Sequence, residues 1–154
     1  MITKTRKNGK VYFSVNIDKQ YTPIAALNTR CVSSYEAAMA QLLKRLGIPF
    51  VHQYRNMGCR DKQCLPFDFY LPVQDVLVEV DGDQHRKFIP HIHRTYEKFL
   101  LQQKHDKIKD NFCKEQGIPL IRIPCSASWK VTEKMLTQKL YEIENTSCGL
   151  SHNL

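Results

Sequence analysis

The chain has no long apolar run, so none of its 154 residues reads as part of a membrane span. Its opening residues, Met1-Ile2-Thr3-Lys4-Thr5-Arg6-Lys7, lack an apolar h-region, and no secretory signal is expected. The six cysteines are therefore expected to stay reduced in a cytosol-like, cytoplasmic compartment. No C-x2-C pair, internal repeat, low-complexity tract, helix-turn-helix or zinc-finger spacing is present. Acidic residues are in deficit, with 15 Asp and Glu against 23 Lys and Arg, for a formal charge of +8. That balance favours a polyanionic partner, of which nucleic acid is the commonest. The length fits one compact domain able to bury a core without disulfide staples.

Along the chain, residues 1–30 are basic and polar. They hold one strand-like stretch, Val11-Tyr12-Phe13-Ser14-Val15, after the turn signal Asn8-Gly9, so an N-terminal arm or β-ribbon is expected there. Residues 31–145 carry the patterned domain, and 146–154 read as a loose tail. Ser33-Ser34-Tyr35-Glu36 forms a capping box, and Tyr35, Met39, Leu42, Leu43 and Leu46 follow with the spacing of one helical face, up to the stop at Gly47. A short strand is expected at 50–54, a polar loop from Arg55 to Cys64, and strands at about 65–71 and 75–81. A Lys- and Gln-rich helix over 91–116 ends at Gly117. A strand at 119–124 and an amphipathic helix over 129–144 follow. The order α-β-β-β-α-β-α predicts an α/β fold, a central mixed sheet flanked by helices.

The most informative stretch is Glu79-Val80-Asp81-Gly82-Asp83-Gln84-His85, which follows the apolar run Val76-Leu77-Val78. If Val73-Gln74 form a two-residue turn, Asp68 falls opposite Glu79 in an antiparallel hairpin. Strict alternation would then place Phe67, Phe69, Leu71, Val76, Val78 and Val80 on a core face. Asp68, Tyr70, Leu77, Glu79 and Asp81 would share the other. Directly opposed residues have Cβ atoms about 5 Å apart, and two carboxylates there repel unless a cation or proton lies between them. Mg2+ or Mn2+ suits such an oxygen donor set, with Asp68 as the central ligand and Glu79 or Asp81 as its companion. His85 is placed to give or take a proton near neutral pH.

Two further acids join the candidates. Glu36 either completes the capping box or reaches the metal site from the first helical turn. Asp106 either pairs with Lys109 along its helix or orients a catalytic histidine. Arg55, Arg60 and Lys62 before the hairpin, with Arg86 and Lys87 after His85, flank the site and are candidates for phosphate contact. A structural Zn2+ site could draw on Cys59 and Cys64 at C-x4-C spacing with His91, His93 and Cys125. The other reading of these cysteines is reduced, packing thiols.

Taken together, the residues resemble the PD-(D/E)xK nuclease superfamily. The nearer resemblance is to the branch containing very-short-patch-repair and phage homing endonucleases with a Glu, Asp, His, Asp constellation. It rests on Phe67-Asp68-Phe69-Tyr70-Leu71-Pro72, Glu79-Val80-Asp81-Gly82-Asp83-Gln84-His85, Asp106-Lys107-Ile108-Lys109-Asp110-Asn111-Phe112-Cys113, and Leu120-Ile121-Arg122-Ile123, within residues 33–125. The resemblance implies a restriction-endonuclease-like core. It also implies a Mg2+-dependent endodeoxyribonuclease of homing, nicking or repair type, with Glu36, Asp68, Glu79, Asp81, His85 and Asp106 at its site. Where the superfamily motif has lysine, two residues after the strand acid, this chain has Asp81, which favours a histidine-assisted mechanism. DNA is the implied partner, and a homodimer would explain double-strand cleavage by so small a chain. The rival readings are a non-catalytic nucleic-acid-binding subunit of the same fold and a structure-specific resolvase or RNase.

Overall fold

The computed structural model describes residues 2–7, 10–15, 33–125 and 129–149. Strands β1 (Ile2–Lys7) and β2 (Lys10–Val15) form an antiparallel hairpin within the segment expected to hold an arm or ribbon. Helix α1 (Ser34–Arg45) starts at the expected cap: the Ser33 hydroxyl accepts from the Glu36 N–H at 3.1 Å. Gly47 follows it at φ +68°, a left-handed conformation that a residue with a side chain adopts only under strain.

Strands β3 (Val51–Arg60), β4 (Cys64–Leu71) and β5 (Val76–Asp81) run as an antiparallel meander. Strand β6 (Leu120–Pro124) lies parallel to β5, for the sheet order β3-β4-β5-β6. The loop expected from Arg55 onward is instead strand as far as Arg60, because the β3–β4 pairing resumes past a register shift between Arg55 and Arg60. Between β5 and β6 the chain passes through a short 3-10 turn at Asp83–His85, then α2 (Pro90–His93) and α3 (Tyr96–Gln116). The single helix expected over 91–116 is thus two. Arg94 breaks it at φ +64°, and Thr95 caps the new start by accepting from the Lys98 N–H. Helix α4 (Trp129–Gly149) runs through the first residues of the expected loose tail, and residues 150–154 lie outside the described set.

The sheet is covered on both faces. Met39, Ala40, Leu42 and Leu43 of α1 and Leu136 and Leu140 of α4 pack on Phe69, Leu71, Val76, Val78, Ile121 and Ile123. On the other face, Phe112 and Cys113 of α3 pack on Tyr54, Leu65, Phe67, Tyr70 and Leu77. The architecture is α/β, a four-stranded mixed sheet flanked by helices. Truncating a fully buried residue such as Leu43 or Phe69 to alanine would cost about 2–5 kcal/mol.

The β4–β5 register is the expected one, with Leu71 opposite Val76, Tyr70 opposite Leu77 and Phe69 opposite Val78. The turn spans the four residues Pro72–Asp75 rather than two, which leaves the parity unchanged. The expected faces need one correction. Phe67 packs against α3 with Tyr70, not with Phe69 and Leu71. The strand pair carries an irregularity where Gln53 and Asp68 would meet. Pairing is absent there, Gln53 has φ +52°, and the register on either side is the same. Alternation therefore skips on both strands: His52 lies against Phe69, while Tyr54 stacks on Tyr70.

Candidate active site

That irregularity positions Asp68. The β4–β5 ladder ends at Phe69, and Asp68 Oδ2 accepts the Val80 N–H at 2.8 Å, taking over a bond that a regular strand would leave to backbone. The two expected carboxylates do converge. Asp68 hydrogen-bonds to Glu79, which is only 3% exposed. Burial, followed by the adjacent Glu79 charge, pushes the Asp68 carboxyl up to about 8. Burial also raises Glu79, against the opposing pull of Lys109. In the hydrogen bond between them Asp68 is the donor and Glu79 the acceptor.

Lys109 is a site residue that sequence reasoning overlooked. Its Nζ reaches from α3 to Glu79 Oε1 at 2.5 Å and lies over the Phe67 ring. The available signal was its position one turn after His105 on a partly apolar helix, but only the fold brings that turn over β5. Arg122 of β6 was also missed. It sits beside Glu79 in the parallel ladder, grips Asp81 with two bonds of 2.9 Å, and bonds Asp110 at 2.8 Å. Asp81 is therefore committed to Arg122 and does not join the Asp68–Glu79 pair. Among the described residues, no three His, Cys, Asp or Glu side chains converge as a ready ligand cage.

His85 and Asp106 form a second unit beside the first. The imidazole Nδ1 donates to Asp106 Oδ2 at 2.8 Å, and Asp81 Oδ1 lies 3.9 Å away. Burial alone would lower the His85 pKa, but the bond and charge of Asp106 outweigh it and raise the value. Burial acts to raise Asp106, yet His85 and Arg122 hold it below the usual carboxylate range. With Nδ1 fixed, Nε2 has no hydrogen-bond partner among the described residues and is the atom free to exchange a proton.

The loop bearing His85 is itself fastened. His93, 4% exposed, accepts the Ile89 N–H at Nδ1 and offers Nε2–H to the Gln84 carbonyl at 2.9 Å and to Gln102 at 3.0 Å. Both ring nitrogens are thus engaged, and Phe88 stacks on the ring. His93 is not free to join Cys59, Cys64, His91 and Cys125 as a zinc ligand. Burial raises the Cys59 thiol to about 11, as it does that of Cys125 beside the Asp81 charge.

Glu36 stands at the N-terminus of α1, where the Ser33 side chain accepts its backbone N–H, and its carboxylate turns toward β3. Its carboxylate accepts from the Ser33 hydroxyl at 3.2 Å, and also from His52 at 2.8 Å and Gln53 at 3.0 Å. Burial opposes ionisation, but these bonds leave its pKa lowered, and its charge is felt by Asp68. The hydroxyl and the carboxamide that hold it come from the cap and from the irregular step in β3, so α1 is tied to the site edge.

Of the expected cations, Arg86 is exposed just after His85, and Lys87 pairs with Asp83 at 3.7 Å. Arg55 donates to the Cys64 carbonyl, Arg60 lies 3.5 Å from the Lys62 carbonyl, and Lys62 lies at the tip between β3 and β4.

No protein-family model matches the chain, and no solved structure matches it. It is 42% identical over 60 residues to a protein of Invertebrate iridescent virus 6 described as uncharacterized protein 307L. It is 37% identical over 60 residues to uncharacterized protein 033L of Invertebrate iridescent virus 3. The shared stretch covers 39% of this chain and 30% and 31% of those relatives, so the chain spans about a third of the length of the curated relatives it matches. No helix among the described residues is long and apolar enough to cross a membrane.

Proposed function

We propose that the chain is a divalent-metal-dependent endonuclease that hydrolyses DNA phosphodiester bonds, built on a restriction-endonuclease-like core. The observation that carries this reading is the pair of touching carboxylates, Asp68 and Glu79, held where burial penalises their charge. An oxygen-only donor pair of this kind fits Mg2+ or Mn2+, which keep several waters and need few protein ligands. A bound cation would supply Lewis-acid polarisation of a phosphate.

The protein groups divide the remaining work. Asp68 and Glu79 would hold the cation, with Glu79 preferred over Asp81 because Glu79 is the acid that hydrogen-bonds to Asp68. His85 would exchange a proton through Nε2, in the orientation Asp106 imposes. Lys109 would steady Glu79 and add positive charge close to an incoming phosphate. Glu36 would add negative charge and an acceptor at the edge of the site. The order of helix, three-strand meander, helix and parallel strand agrees with the core that the motif resemblance implies.

The test is plasmid nicking with Mg2+, with EDTA, and with Asp68→Ala and His85→Ala, alongside four-way-junction and RNA substrates. Mg2+-dependent cutting of duplex DNA, abolished in both variants, is the expected result. Failure of the wild-type protein to cut any nucleic acid would leave a non-catalytic binding subunit. Selective cutting of junctions or RNA would favour a resolvase or an RNase.

A further inference from the structure

The tip of the β3–β4 hairpin and the middle of α3 enclose a groove of about 570 Å3 that lies apart from the acidic pair. Its walls carry Arg55, Lys62, Lys104 and His105, with Asp61 among them and Leu101 as an apolar, half-exposed side. Three permanent cations face one carboxylate. Asp61 is already shared between Lys104 at 2.8 Å and His105 at 3.3 Å. Arg55 and Lys62 have no acidic partner among the described residues, and the Arg55 guanidinium is held in place by the Cys64 carbonyl. Two cations without counterions on a concave wall, Arg55 on β3 and Lys62 at the hairpin tip, make a site for an anion and give a polyanion two points of contact.

The groove is in line with the site. His105 and Lys109 are four residues apart on one face of α3, about 6 Å along its axis. We infer that the groove is a track for the phosphate backbone of duplex DNA leading toward the acidic pair, with Asp61 restraining Lys104 and His105. This rests on the nuclease reading for its direction, while binding itself can be measured without cleavage.

The test is fluorescence anisotropy of the full chain with a labelled DNA duplex in EDTA, over a series of salt concentrations. Replacing Arg55 by Gln together with Lys62 by Ala should weaken binding several-fold. It should also flatten the salt dependence by about 1.8, near 0.9 for each phosphate that is no longer neutralised. Lys62→Ala alone, at an exposed hairpin tip where folding is not at stake, should give about half of that. Asp61→Asn should tighten binding and steepen the slope by freeing Lys104 and His105. Lys44→Ala, at an exposed position on α1 outside the groove, should change the slope by no more than any distant surface charge. Unchanged affinity and slope in the Arg55/Lys62 variant, or weaker binding by a folded Asp61→Asn protein, would overturn the assignment. Groove variants that bind weakly while the wild type binds but never cuts would sustain the groove and reject the nuclease. Full cutting with unaltered binding in the groove variants would do the reverse.

Discussion

Replacing Asp68 by Asn should make this protein more stable as it destroys metal binding. The two side chains are nearly isosteric. An asparagine Oδ1 can still accept the Val80 N–H, and its amide can donate to Glu79, so only the ionisable group is removed. The Asp68 carboxyl lies at about 8 in the folded chain against an ordinary value near 4. Because the folded-state pKa is raised, the favourable contribution is complete below the ordinary carboxylate range and is lost as pH rises toward 8. At pH 7 the folded chain keeps a proton that the unfolded chain releases across about three pH units, each worth about 1.4 kcal/mol, for a ceiling of ~4 kcal/mol. Relaxation around the pair reduces this, and a gain of ~1–3 kcal/mol is expected for the variant at pH 7 to 8. Urea unfolding followed by circular dichroism in EDTA would register it as a midpoint shift of about 0.5–2 M. The gain should be smallest near pH 4 and grow toward pH 8. Added Mg2+ should then raise the midpoint of the wild type alone, since a ligand stabilises only the state that binds it. A variant less stable than wild type at pH 8, or one whose gain does not change with pH, would refute the like-charge account of the site.

Lys109→Met should act in the opposite sense. It leaves the buried Glu79 carboxylate without its ion-pair partner and should cost about 3–5 kcal/mol in urea unfolding at pH 8, with a smaller loss near pH 4 where Glu79 takes up a proton; equal loss at both would argue that only packing on Phe67 was disturbed. Asp106→Asn should lower the His85 pKa, read from the imidazole resonances by NMR. The raised value contributes stability that is present below about 6.5 and lost as pH rises through the folded-state value, so this variant should be destabilised at pH 5.5 and near neutral in effect at pH 9; an unmoved His85 titration would disprove the pairing.

Much of this was legible along the chain because it depends on local chemistry or on parity. The Ser33 cap needs only a hydroxyl followed three residues later by Glu36. The β4–β5 register survived a longer turn than expected, since a change from two to four turn residues keeps the same pairing, although Asp68 lies just past the end of that ladder. The helical break at Arg94 and the persistence of β3 through Arg60 were not legible, because tertiary pairing overrode weak local preferences there.

By itself the sequence determined the order of the elements, the pairing register of the central hairpin and the acids and histidine that could meet, because periodicity and capping act over a few residues. Only the tertiary structure decided which charges those groups answer to. Lys109 arrives from a helix 30 residues after Glu79, and Arg122 arrives on a parallel strand 41 residues after Asp81. Ion pairing in a buried site depends on distance in space, and spacing along the chain does not encode it.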